Sequence, residues 1–431
     1  IKDAWYFARA GRPGPVVIDI PVNLQKDINE HSGGLDDYSN VYESEHHLSN
    51  SQCRHFFDLL QDAKAPLLYL GGGLNSEEGS LAIREFDKLF KIPSVNTLMA
   101  KGVVDETEET SMGMLGMFGT PYANMVIQKN DFFFAIGVRW DDRVAEKVGF
   151  AIEAKIAYID INPIKVHQVR AERKPDFSFI GDAPTAINDL VEYAKVHKIT
   201  LNINSWRDYA VETKKSWPLD FDRENKSIQQ ANVLSLLNTR LTDDMIFTTG
   251  VGNHQLLAAQ YLKMRKPKRF ITSGGFGTMG FGMPSAIGSY YANKNAQVIV
   301  IDGDGSFRMN MGELHTIGTL NLPVKILLLN NTADGMVFNL EDVAYGGRHS
   351  ATVRQADVNF AQMAGLCFFK YAKRIEDKAS LEQELDAFLK SDGPALLEVK
   401  TDINEALFPV VRAGKSYHDM ELGPFIKKVT L

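Results

Sequence analysis

The chain has 431 residues, 44% hydrophobic and 23% charged, which fits a globular protein of about two to three domains. Its formal net charge of −7 argues against a general nucleic-acid surface, and no apolar run approaches the roughly 18 residues a membrane span needs. Two cysteines, Cys53 and Cys367, make no disulfide framework and fit a reducing compartment.

The first ten residues read as a helix already under way, stopped by Gly11, with no initiator Met, N-cap or targeting signal. That start predicts a missing upstream segment. A Gly-Arg-Pro-Gly-Pro turn (11–15) leads into an expected strand at 16–20, which has no earlier strand to pair with. Residues 26–45 are polar and rich in Asp, Ser and Gly, and read as a linker.

From 46 to 195 helices and strands alternate. Helices are expected at 50–62 and 77–91, and strands at 66–70, 93–97, 131–138, 155–161 and 177–180. Short, near-continuous apolar strands separated by helices predict a parallel sheet covered on both faces. Residues 196–226 read as a second connector. The stretch 227–431 repeats the logic, with strands at 245–249, 270–272, 297–301 and 324–329 and a last amphipathic helix at 381–389. The basic run 263–268 reads as a solvated helix end, and His46-His47 as a surface pair. The four strands run into Gly250-Val251-Gly252, Gly274-Gly275, Gly303-Asp304-Gly305 and Asn330-Asn331. Open parallel sheets bind ligands beyond the carboxyl ends of their strands, so these turns are expected to line one site.

The strongest chemical signal is Gly303-Asp304-Gly305-Ser306 with Asn330-Asn331 about two dozen residues on. Asp304 offers a carboxylate and Asn331 an amide oxygen, hard ligands that suit Mg²⁺ completed by ligand phosphates and water. Gly303 and Gly305 allow close backbone approach to a diphosphate. Ser306 is expected to cap a helix beginning near 307, whose N-terminus favours an anion. No G-x-G-x-x-G opening a helix with an acidic residue about 20 positions on appears in the first unit, which disfavours a nicotinamide dehydrogenase.

The pair resembles the thiamine-diphosphate (ThDP) motif. The resemblance extends to the catalytic large subunit of the acetohydroxyacid synthase (acetolactate synthase) family through residues 249–255, 273–282 and 330–337, with 11–15, 116–120 and 139–144 in the first half. It implies an α/β fold of two doubly wound parallel-sheet domains: a Rossmann-like FAD-binding middle domain at 46–195 and a ThDP diphosphate- and Mg²⁺-binding domain at 227–431. Residues 1–25 would be a remnant of an N-terminal pyrimidine-binding domain, with linkers at 26–45 and 196–226.

By the same resemblance, Asp304, Asn331 and the carbonyl of Ala333 would hold Mg²⁺. Val251, Gly252, Asn253, His254, Gly303, Gly305, Ser306, Gly335 and Val337 would hold the cofactor. Gly277 and Met279 would touch the aminopyrimidine, and Met336 and Leu340 would shape the reaction site. FAD would contact Arg12, Gly71, Gly72, Gly73, Thr97, Leu98, Gly116, Met117, Gly137, Arg139, Asp141, Arg143, Asp160, Ile161 and Asp182. The implied reaction joins pyruvate to a second 2-oxo acid, pyruvate or 2-oxobutanoate, with loss of CO₂, in branched-chain amino acid biosynthesis. A homodimer with its site at the subunit interface, a regulatory subunit and, for a bacterial source, a cytoplasmic location follow in the same way; an organellar transit peptide stays open.

The sequence departs from the family in several places. No residue of this sequence matches the family's N-terminal glutamate that bonds the pyrimidine ring; its domain is expected to be missing upstream, and the chain alone to bind ThDP poorly and turn over little. Leu340 stands where a tryptophan is usual, Phe118 for histidine, Asn253 for glutamine and Val22 for lysine. Two alternatives remain open at this point: a related acyloin-forming enzyme using another 2-oxo acid such as glyoxylate, and a non-catalytic cofactor-binding protein.

Overall fold

A computed structural model of the chain describes residues 1–26, 28, 47–140 and 153–430. Two six-stranded sheets dominate it. The first holds β1 (Pro66–Leu70), β2 (Ser94–Asn96), β3 (Ser111–Met114), β4 (Phe132–Ile136), β5 (Lys155–Asp160) and β6 (Phe177–Ile180), in the order β3-β2-β1-β4-β5-β6. The second holds β7 (Met245–Thr249), β8 (Phe270–Ile271), β9 (Gln297–Gly303), β10 (Lys325–Asn330), β11 (Tyr371–Ile375) and β12 (Ala395–Lys400), in the order β11-β12-β10-β9-β7-β8. Every strand pairing in both sheets is parallel. The expected α/β class with two parallel sheets therefore holds.

The local causes are visible in the sequence. The strands Pro-Leu-Leu-Tyr-Leu (β1) and Phe-Phe-Phe-Ala-Ile (β4) are buried throughout, as strands covered on both faces must be. Helix Asn50–Asp62 starts at a capping box between Ser49 and Gln52 and buries Phe56, whose ring lies 4.7 Å from that of Phe134. In the second sheet the pleat divides the apolar residues between two cores. Ile299, Ile301, Leu327, Leu329, Leu397 and Val399 face one, and Val298, Val300, Ile326, Leu328 and Leu396 face the other.

Several expectations change. Residues 16–20 form no strand; they are exposed coil, Val17 at 91%, because a strand needs a ladder partner and none lies beside them among the described residues. The connector 196–226 contains the helix Asn204–Ser216. That helix buries Trp206, whose indole N–H bonds the Pro66 carbonyl at 2.8 Å. Strands β3, β11 and β12 add to those expected. The run 263–268 follows the helix Asn253–Tyr261 with Arg265, Lys266 and Lys268 exposed, as expected, but Met264 is buried, and its amide and carbonyl both bond Glu106 across the two units. His47 is exposed and bonds Asp189 at 3.0 Å, while His46 and most of the linker 26–45 lie outside the described residues. No described helix is long and apolar enough to cross a membrane.

The strand orders fix where ligands can sit. In the first sheet the order reverses between β1 and β4, and in the second between β7 and β9. A reversal opens a crevice at the carboxyl ends, because the flanking connections leave toward opposite faces. Gly71–Gly73 and Gly137 stand at the first crevice; Gly250–Gly252 and Gly303-Asp304 stand at the second.

Candidate cofactor site

Register brings the second site together. Thr249 on β7 pairs Ile301 on β9, and Gly303 on β9 pairs Leu329 on β10. The turns after the three strands therefore emerge level with one another. Gly250-Val251-Gly252 comes from β7, Gly303-Asp304-Gly305 from β9 and Asn330-Asn331 from β10.

The packing of these turns leaves no room for side chains at the glycines. A Cβ on Gly250 would lie 1.8 Å from Asp302 Oδ1, and one on Gly303 would lie 2.7 Å from His254 Nδ1. One on Gly305 would lie 2.2 Å from Asp334 Oδ1, and one on Gly335 would lie 2.8 Å from Asn331 Nδ2. Gly252 (φ +153°) and Gly277 (φ +65°) occupy backbone conformations that disfavour other residues.

Ser306 corrects one expectation. It lies inside the helix Asp304–Met309, whose N-cap is Gly303, so it does not cap that helix. Its Oγ instead accepts the Gly280 amide at 2.9 Å and the Val251 amide at 3.2 Å. Ser306 thereby ties the β7 turn, the 273–282 loop and the β9 turn to one atom.

Asp304 is 1% exposed; neither of its carboxyl oxygens makes a hydrogen bond, though Arg354 Nη1 lies 3.2 Å from Oδ2. Burial pushes it up to about 6, against the opposing field of Arg354 and Arg308. Asn331 is buried and its Oδ1 accepts the Ala333 amide at 3.2 Å; Ala333 is buried beside it. His254 is buried with Nε2 3.4 Å from Oδ1 of Asp302, and burial lowers its pKa to about 3, so the ring is neutral at ordinary pH. Burial also raises Asp302 to about 7. Asn253 and His254 open the helix Asn253–Tyr261.

The remaining predicted residues lie on the open side. Met279 is half-buried. On the helix Gly335–Tyr345, Met336 is 37%, Val337 47% and Leu340 56% exposed. Asp302, Asp334 and Arg354 are polar neighbours that sequence reasoning missed. Asp302 hides inside an apolar strand, and Arg354 lies on an irregular segment with no motif.

In the first crevice, Gly71 and Gly73 press against Gly137: added Cβ atoms would lie 2.0 Å from the Gly137 carbonyl oxygen and 2.8 Å from its Cα. Packing between strand ends is thus enough to require these glycines. Thr97 follows β2 with a buried hydroxyl that has no hydrogen-bond partner. Asp160 ends β5, buried and raised by burial, with the charge of Arg12 opposing the shift; Ile161 follows it. Asp182 caps the helix Ala183–His197 by accepting the Thr185 amide at 3.1 Å. Gly116 exchanges hydrogen bonds with the Asn124 side chain, and the Met117 carbonyl accepts the Val411 amide. Asp141 and Arg143 lie outside the described residues.

The two crevices touch. A Cβ on Gly274 would lie 2.4 Å from Met99 Sδ and 3.5 Å from Leu98 Cδ2, and one on Gly275 would lie 3.9 Å from Arg139 Nη1.

Comparison with known proteins gives the family. Residues 53–190 match the central domain, and residues 250–399 the C-terminal TPP-binding domain, of thiamine pyrophosphate enzymes. The acetolactate synthase large subunit of Porphyra purpurea is 36% identical, covering 97% of this chain and 71% of its own length. The isozyme 2 large subunit of Escherichia coli (strain K12) is 36% identical, covering 97% and 74%. The chloroplastic acetolactate synthase of Arabidopsis thaliana is 36% identical, covering 97% and 64%. The chain belongs to the acetolactate synthase family.

Both sheets of this acetolactate synthase family member fall within the matched stretches, apart from β7, which ends one residue before the second begins, and the last residue of β12. The C-terminal TPP-binding match begins at Gly250, the first residue of the β7 turn.

Proposed function

We propose that this chain binds ThDP through its diphosphate and a Mg²⁺ ion, and joins pyruvate to pyruvate or 2-oxobutanoate with loss of CO₂. The observation that carries the reading is the buried carboxylate of Asp304, held by no hydrogen bond and facing the Arg354 guanidinium, level with Asn331 on the adjacent strand end. Among the described residues no group of three or more His, Cys, Asp or Glu side chains is placed to hold a metal. One carboxylate, one amide oxygen and one main-chain carbonyl instead make a hard oxygen set. Such a set suits Mg²⁺ that shares its remaining positions with phosphate and water.

ThDP, when bound, supplies the electron sink for decarboxylation; binding and orientation fall to the protein. Asp304, Asn331 and Ala333 would hold the ion. Gly303, Gly305 and Gly252 would let main chain approach the diphosphate, beside Asn253 and the neutral imidazole of His254. Gly277 and Met279 would border the pyrimidine. Met336, Val337 and Leu340 would wall the space for the 2-oxo acids.

FAD would occupy the first crevice, a reading supported by the unpartnered buried hydroxyl of Thr97 and by Gly71–Gly73, Gly137 and Asp160 around the strand ends. A homodimer that shares the site, a regulatory subunit and a place in branched-chain amino acid biosynthesis complete the proposal. All three rest on the family.

The test is product analysis with pyruvate, 2-oxobutanoate, ThDP, Mg²⁺ and FAD, in a protein that includes a pyrimidine-binding domain. Acetolactate and acetohydroxybutyrate are expected. Acetaldehyde alone, peroxide formation alone or preferential use of glyoxylate contradicts the assignment.

A further inference from the structure

Arg354 sits where a metal site has least use for a cation. Its Nη1 lies 3.2 Å from Asp304 Oδ2, and its Nη2 donates to Asp334 Oδ1 at 2.7 Å. The Arg354 side chain is 18% exposed and that of Asp304 2%. The placement is built by main chain. The Arg354 amide bonds the Thr332 carbonyl at 2.9 Å and the Asp334 amide bonds the Thr352 carbonyl at 3.0 Å, so the segment 352–354 runs antiparallel to 332–334. Glu341 fixes the approach to that segment by accepting from the Thr352 hydroxyl at 2.6 Å and the Ser350 amide at 3.1 Å. The guanidinium also borders the Gly305 turn, where an added Cβ would lie 3.0 Å from Nη2.

A carboxylate this buried is costly unless paired, and Arg354 is the cation that pairs it. A divalent ion on the same carboxylate would stand within a few ångströms of the guanidinium, and like charges at that range repel strongly in a poorly screened site. The two cations therefore compete at Asp304, each weakening the other's hold on the carboxylate. Asp334 would keep hold of Arg354 when Asp304 is taken, and a diphosphate at the Gly305 turn would give the guanidinium a new partner.

We infer that Arg354 is a counter-cation of the metal site: it competes with a divalent ion for Asp304 and couples metal binding to diphosphate binding. The inference rests on the proposed metal role of Asp304.

The test uses Mn²⁺ as a spectroscopic probe and inorganic pyrophosphate as the anion, with binding followed by electron paramagnetic resonance and stability by thermal unfolding. R354Q is expected to bind Mn²⁺ alone about tenfold more tightly than the wild type. It is also expected to melt lower without metal and to lose most of the enhancement that pyrophosphate gives the wild type. R354K, which keeps the charge, is expected to stay near the wild type. Equal or weaker Mn²⁺ affinity in R354Q, or R354K behaving like R354Q, overturns the inference alone. No Mn²⁺ binding to either protein overturns the metal assignment and the inference together. A wild-type readout covers a variant that fails to fold: Mn²⁺ should speed phenylglyoxal modification of Arg354, and an unchanged or slower rate counts against displacement.

Discussion

The ammonium of Lys101 lies 2.6 Å from Oε2 of Glu106, with the two side chains 2% and 4% exposed. Lys101 also donates to the Ala259 carbonyl at 2.8 Å, and Glu106 accepts the Met264 amide at 3.0 Å. The pair belongs to the first unit, and both of those partners belong to the second. It pins the loop after Thr97 and Leu98 to the helix that starts with Asn253 and His254, joining the two crevices through a satisfied buried ion pair.

Removing one member leaves the other charge buried and alone. Lys101→Met is therefore expected to cost about 3–5 kcal/mol, and the double variant Lys101→Met/Glu106→Leu clearly less, because an apolar pair of similar volume avoids the uncompensated charge. Urea unfolding of the two variants measures this. A single-variant loss below about 1 kcal/mol places the pair among ordinary surface bridges instead.

The glycine turns give a graded steric test. Gly250→Ala drives a methyl group into Asp302 and is expected to destabilise by about 1–3 kcal/mol, as overpacking does, and to weaken ThDP binding. Gly275→Ala meets its nearest atom at 3.9 Å and is expected to stay within about 0.5 kcal/mol. Equal effects on melting temperature and calorimetric affinity would mean that the crowding at Gly250 does not matter.

Acid should act through His254. Its folded pKa is about 3 against an ordinary value of 6.5, so the unfolded chain binds more protons between those values. Stability from this group is present above pH 6.5 and is lost as the pH falls toward 3. His254→Gln is expected to flatten that part of the stability–pH curve. A wild-type curve whose slope there is unchanged by the substitution would show that the imidazole is not held neutral.

Leu340 is 56% exposed, so space exists for a larger side chain on its helix face. Leu340→Trp is expected to raise the preference for 2-oxobutanoate over pyruvate as acceptor by about tenfold, the order that one methylene in an apolar pocket supports. The ratio of acetohydroxybutyrate to acetolactate under competition reads it directly. An unchanged ratio removes Leu340 from the acceptor pocket.

Much of this architecture is legible in the sequence, for physical reasons that can be named. Doubly covered strands must be apolar throughout, which marks residues 66–70 and 245–249 without ambiguity. Ligand turns in parallel sheets must follow such strands, which marks Gly303-Asp304 and Asn330-Asn331. Strand β3 escaped because Ser-Met-Gly-Met carries neither alternation nor a β-branched run, and β11 because an edge strand tolerates Lys373 and Arg374. The helix Asn204–Ser216 escaped because only Trp206 and Ala210 among its buried residues are apolar, and its polar residues mask them. Residues 16–20 show the converse: β-prone composition yields no strand without a neighbour. Arg354, Asp334 and Lys101 take their meaning only from distant partners, which no local pattern encodes.

The central claim is that Asp304 anchors a divalent ion which in turn holds the diphosphate of ThDP. Titration calorimetry of wild type and Asp304→Ala with ThDP, each with and without Mg²⁺, tests it most directly. Saturable one-to-one binding that requires Mg²⁺ and disappears in Asp304→Ala is expected. Binding that is indifferent to Mg²⁺, or that survives the substitution with unchanged affinity, contradicts it.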